Sequence, residues 1–166
     1  MTGPQPPDSG SPAAHLSDIG EVAHFRALES LYRVAPVNRI CPSDLSILAS
    51  GEARITFEVM PELFHAAGAL HGTLYFKMLD DAAFYAANSR VTDRFLLTTA
   101  FNLLFTRPLR SGVVVAHGRW VSGHRRVLVA DARLVDATGE EVARGTGTFM
   151  RSRYPLSGLP GYAVGA

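Results

Sequence analysis

Val22, Phe25, Leu28, Glu29 and Tyr32 recur at helical spacing, a mostly apolar stripe that predicts an amphipathic helix. Asp18, with Glu21 three residues on, reads as its capping box, and Pro36 as its stop. Two β-type runs follow, Asp44–Ala49 and Ala53–Met60, separated by Ser50-Gly51-Glu52, which has the chemistry of a hairpin turn. Then the period changes. From His71 to Arg90 the chain is apolar on nearly every face, with Lys77, Asp80 and Asp81 as the only charges before Arg90, and this reads as a buried central helix. Four more strand-like runs come after it, near Phe95–Thr106, Val113–Val121, Val127–Val135 and Val142–Met150. Their linkers, Arg110-Ser111-Gly112, Ser122-Gly123-His124 and Asp136-Ala137-Thr138-Gly139, are turn-like, so consecutive strands are expected to pair antiparallel. The order predicts an α+β fold: an antiparallel sheet of about six strands wrapped around a long buried helix, with an extra N-terminal helix.

The 166 residues suit one domain, expected over 17–153, with a disordered tail over 1–16 and a flexible one over 154–166. The first sixteen residues carry no basic n-region and no apolar h-region, so they do not read as a signal peptide, and the cytoplasm is the expected compartment. Apolar stretches are interrupted too often for a membrane span. The single cysteine, Cys41, leaves no intramolecular disulfide and no cysteine-based zinc site.

Charge adds an asymmetry. Residues 1–106 hold seven basic and eleven acidic side chains, whereas the remainder holds nine arginines against four acids. A basic half suggests an anionic partner, although arginines solvating the outer faces of strands explain the same count. Without lysines there, and without an interleaved aromatic pattern, nucleic acid is not the expected partner.

Two carboxylates inside an apolar helix are costly unless satisfied. Lys77 lies three and four residues from Asp80 and Asp81, so a structural ion pair is one reading of them; a general base or nucleophile with an environment-tuned pKa is the other. The start of the same helix, around His71-Gly72-Thr73, offers free backbone N–H groups that could stabilise an oxyanion. His71 and Asp80 are separated by nine residues, ~13.5 Å of helix rise and two and a half turns, so one chain does not aim both at one atom. Two copies with antiparallel helices would, which predicts a dimer with two equivalent shared sites.

The stretch His65-Ala66-Ala67-Gly68-Ala69-Leu70-His71-Gly72-Thr73, with Asp80 nine residues after His71 and Asp80-Asp81-Ala82-Ala83-Phe84-Tyr85-Ala86-Ala87-Asn88-Ser89 behind it, resembles the signature of the hotdog-fold acyl-CoA thioesterases of the PaaI-like and THEM2-like branch. The resemblance extends over about residues 44 to 152, including the strand ending in Arg107-Pro108. It implies a thioester hydrolase in which Asp80 is general base or nucleophile, Gly72 N–H the oxyanion donor, His71 the group orienting the carbonyl and Thr98 the holder of water. His65 stands where that family has Asn, and Thr73 where it has a second Gly. The implied substrate is an acyl-CoA, with no cofactor and no metal, no nucleic acid and no membrane, in a homodimer with sites at its interface that further assembles to a tetramer. Coenzyme A phosphates would suit Arg125 and Arg126, with Arg107 and Arg151 behind them. Phe64, Leu74, Tyr75, Phe84 and Phe101 are the expected walls of the acyl pocket. A non-catalytic acyl-CoA-binding protein is the alternative, kept open by His65; a hydratase is disfavoured because no histidine here follows an Asp by five residues.

Overall fold

The computed structural model describes residues 12–163. A long helix, α1 (Pro12–Val34), and a 3-10 turn, Pro36–Arg39, precede the hairpin of β1 (Ser43–Ala49) and β2 (Glu52–Glu58); the central helix α2 (Gly72–Asn88) follows, then β3 (Arg94–Phe105), β4 (Val113–Ser122), β5 (Val127–Val135) and β6 (Glu141–Pro155). One six-stranded antiparallel sheet results, in the order β1-β2-β4-β5-β6-β3. It wraps α2, which buries eleven side chains against it. The closest approach is at Gly118 on β4, where an added Cβ would lie 1.9 Å from the carbonyl oxygen of Ala82. Only a glycine lets helix and sheet backbones come that near.

α1 packs Phe25, Leu28, Leu31 and Tyr32 into the core. Glu29, the one charge in its apolar stripe, is buried because its carboxylate accepts the N–H of Ile47 on edge strand β1, at 2.8 Å. Asp18 does not open this helix as expected but lies within it; Pro12, a residue favoured in the first helical turn, stands at its start. Residues 1–11 of the expected tail lie outside the described residues.

Two further expectations need correction. The linker after β3 is not a hairpin: Val59 N–H bonds the Gly112 carbonyl at 2.9 Å, and the chain leaves to pair β4 with β2, Val113 opposite Glu58. β3 crosses instead to the far edge and pairs with β6. Within the expected C-terminal tail, residues 156–162 are packed rather than free. Leu156, Leu159 and Tyr162, three residues apart, turn one apolar face to the core, and Leu156 is 1 % exposed. The Tyr162 hydroxyl lies 2.7 Å from His24 Nδ1, and His24 Nε2 bonds the Asn88 carbonyl at the end of α2. Burial holds that imidazole below its ordinary pKa.

Candidate active site

Three devices fix the start of α2. His71 is the N-cap, and its Nδ1 accepts the Thr73 N–H at 3.2 Å, which leaves the ring proton on Nε2. The next N–H, of Leu74, bonds the His71 carbonyl. Of the first three helical N–H groups only that of Gly72 is left over, with no intrahelical acceptor. The Phe105 ring, at the end of β3, stands 3.2 Å from where a Gly72 Cβ would be. His65 closes the loop before the helix: its Nδ1 accepts the Ala67 N–H at 3.1 Å, the turn an Asn side chain makes in the same position.

At the other end of the site, Thr98 on β3 donates its hydroxyl to Asp80, 2.9 Å from one carboxylate oxygen and 3.3 Å from the other. The strand register shifts between Thr98 and Ala100, so a bulge sits beside this bond. Burial pushes the Asp80 carboxyl up to about 6. The Thr98 hydrogen bond opposes that rise, the neighbouring Asp81 adds to it, and Lys77 opposes it. Asp80 is thus a carboxylate poised to exchange a proton near neutrality.

Asp81 is different. Its carboxylate meets Lys77 Nζ at 2.6 Å and accepts the Tyr32 hydroxyl at 3.1 Å. It is the structural ion pair that the spacing allowed, whereas Asp80 takes no ion-pair partner among the described residues. Sequence patterning did not bring Tyr32 to this point, because the docking of α1 onto α2 is a long-range contact with no local signal.

A cavity of about 270 Å³ opens beside Asp80, lined on α2 by Phe84 and Tyr85 and on β3 by Phe95 to Thr98. Of the expected wall residues only Phe84 belongs to it. Tyr75 is buried, and its hydroxyl accepts the Leu109 N–H at 2.7 Å and donates to the Arg107 carbonyl, tying the β3–β4 linker to the helix start. Phe64 forms a bridge to Leu70 in the loop before α2. A larger cavity, about 670 Å³, lies on the outer face of the sheet, with Glu52, Arg119, Asp131 and Arg133 in its lining. Neither Asp80 nor the helix start is in its lining.

The arginines do not form one patch. Arg107 pairs with Glu140 at 3.2 Å, Arg144 with Glu141 and Arg151 with Asp93 at 2.7 Å. Arg125 and Arg126 are exposed on the β4–β5 turn, and the Arg126 carbonyl accepts the Arg151 N–H. These three therefore sit together at the Arg94 end of β3, whereas Arg107 lies at its Phe105 end. Among the described residues no three His, Cys, Asp or Glu side chains converge as a metal site, and no helix is long and apolar enough to cross a membrane.

Residues 67–143 match the model of the thioesterase superfamily, a span that contains the helix start, Asp80 and Thr98. The PaaI protein of the E. coli phenylacetic acid degradation operon superposes with a TM-score of 0.74, covering 82% of this chain and 98% of that one at 20% identity. A variant of the phenylacetic acid degradation protein PaaI from Thermus thermophilus gives a TM-score of 0.64 at 27% identity, over 71% of this chain and 100% of that one. The chain has the hotdog fold of the PaaI proteins, and its residues 67–143 are similar to the thioesterase superfamily. A protein of Sulfurisphaera tokodaii named as an esterase is 27% identical over 99 residues, 60% of this chain and 74% of that one. The superfamily match and the esterase relative support thioester or ester hydrolysis as the class of chemistry.

Proposed function

We propose that this protein hydrolyses acyl-CoA thioesters at two equivalent sites shared between the subunits of a homodimer. The observation that carries the reading is Asp80: a carboxylate with a pKa near 6, hydrogen-bonded to Thr98, at the mouth of an apolar cavity. In this reading Asp80 takes a proton from a water that Thr98 helps to hold, and the resulting hydroxide adds to the thioester carbonyl carbon. The partner subunit's Gly72 N–H receives the developing oxyanion, with the Nε2–H of the partner's His71 beside it. Collapse of the tetrahedral intermediate breaks the carbon–sulfur bond, and the thiolate leaves and takes up a proton, giving free acid and coenzyme A.

Two features favour the dimer. β3 is an edge strand of twelve residues along which Leu97, Leu104 and Phe105 are exposed, an unpaired edge of the kind that seeks a second strand. It also spans the two half-sites, Thr98 beside Asp80 and Phe105 beside Gly72. Antiparallel pairing of β3 with its copy would bring the Thr98 end of one strand to the Phe105 end of the other. Arg125, Arg126 and Arg151, near the Asp80 end, are the cations offered to the coenzyme A phosphates.

The deciding experiment is hydrolysis of a panel of acyl-CoAs by wild type and Asp80→Asn, followed by direct absorbance. Loss of ~10²–10⁴-fold in turnover is expected for removal of a general base. An unchanged rate in Asp80→Asn removes Asp80 from the mechanism. Saturable binding of CoA esters by the wild type without turnover establishes the non-catalytic acyl-CoA-binding protein instead.

A further inference from the structure

The cavity beside Asp80 has a second wall, from a different part of the chain. It is formed by the end of α1 and the 3-10 turn after it, through Tyr32, Ala35, Val37 and Asn38. None of these residues lies within 67–143, the span that carries the superfamily match. The reacting groups and this wall thus come from separate segments of the sequence.

The wall is bolted in place. Pro36 ends α1 and opens the turn, and Asn38 caps the helix by donating its side-chain N–H to the Tyr32 carbonyl at 2.7 Å. The other end of the same amide accepts Lys77 Nζ at 2.8 Å. Lys77 also reaches the Tyr32 hydroxyl at 3.3 Å and Asp81 at 2.6 Å, and that hydroxyl lies 2.6 Å from Ser43 Oγ. With its side chain only 14% exposed, Lys77 is a bolt between two helices rather than a solvated charge. Through it the turn is held to α2 three residues before Asp80, so the distance from the wall to the carboxylate is set by a hydrogen-bonded cluster rather than by loose apolar packing.

We infer that the Tyr32–Asn38 segment is the selectivity wall of the acyl site: it limits the substrate to compact apolar acyl groups, and Ala35 and Val37 set the limit. The inference rests on the acyl-CoA reading above. Its physical basis is volume. The cavity, about 270 Å³, falls below the ~300–1,000 Å³ of clefts that enclose drug-sized ligands, and Ala35 and Val37 in its lining are small and apolar. Longer acyl groups would have to displace a segment tied to α2 at three points.

The test is the specificity constant for straight-chain acyl-CoAs from acetyl to decanoyl, measured for wild type, Ala35→Leu, Val37→Phe and Asn38→Ala. Ala35→Leu adds bulk to the wall, and kcat/KM for the longest acyl group the wild type accepts should fall about tenfold or more relative to acetyl-CoA. Val37 is half exposed, so Val37→Phe repeats the test without loading the core. Asn38→Ala removes the Lys77 acceptor and should move the optimum to longer chains. A dependence on chain length unchanged in all three variants, each shown by circular dichroism to be folded, overturns the wall. Failure of the wild type to hydrolyse any member of the panel is a separate result, and it overturns the thioesterase reading itself.

Discussion

A carboxylate raised to about 6 stays ionised in most of the protein above that pH and is protonated below it, so a base with that affinity gives a rate that falls on the acid side. kcat/KM for the preferred thioester should therefore drop below about pH 6. The direction can be tested through Thr98, whose hydrogen bond holds the Asp80 value down: Thr98→Val should move the acid limb to higher pH as well as lower the rate. A Thr98 that is merely structural would lower the rate and leave the limb in place. The charge next door works in the opposite sense, since Asp81 raises the Asp80 value while Lys77 lowers it. The spacing put His71 and Gly72 at the start of α2 and Asp80 along it, the family resemblance singled out Thr98, and the structure joins Thr98 to Asp80 by a hydrogen bond. The division of labour between the two carboxylates was not legible in the sequence. It depends on Tyr32, which arrives from 49 residues away and claims Asp81.

The elements were legible wherever local chemistry decides them. The β1–β2, β4–β5 and β5–β6 hairpins turn on Gly51, Gly123 and Gly139, each at positive φ, and all three were visible as turn residues. Gly112 has the same conformation and yet closes no hairpin; its own carbonyl accepts the Val59 N–H. The destination of β3 is a competition between partners, and no local pattern encodes who wins. What fixes its near end is Asn88. That fully buried amide donates to the carbonyls of Val91 and Arg94 and accepts the N–H of Leu96, so the last residue of α2 sets the first residues of β3. Asn88→Ala leaves three buried backbone groups unsatisfied, and it should cost about 2–4 kcal/mol of stability by denaturant unfolding. It should also loosen the strand that carries Thr98, so activity should fall at temperatures where the variant is still folded. A loss below about 1 kcal/mol would mean that water replaces the amide and that the α2–β3 joint is held elsewhere.

For the molecule as a whole, the decisive length is the one along α2. Nine residues of helix keep His71 and Asp80 ~13.5 Å apart, and Gly72 is hardly closer, so the proposed oxyanion donor and the proposed base of one chain cannot act on one carbonyl. A second copy repairs this if the two helices run antiparallel. Each site then takes its base from one chain and its donors from the other. The exposed apolar side chains agree with that arrangement: Phe76 on α2 and Leu97, Leu104 and Phe105 on β3 lie on the elements that such a two-fold would bring together. The arrangement has a consequence that a single-chain site does not share. Dimers of Asp80→Asn alone lack both bases, and dimers of His71→Ala alone lack both His71 donors and the N-caps that hold Gly72 in place. A mixed dimer concentrates both defects in one site and leaves the other whole. Mixing the two inactive variants, with subunit exchange verified by mass spectrometry of differently tagged chains, should restore up to about a quarter of wild-type activity: half of the dimers are mixed at random pairing, and each mixed dimer has one intact site. Mixed dimers that form without recovery of activity would place base and oxyanion donor in the same chain, and the geometry along α2 would then require the helix itself to break.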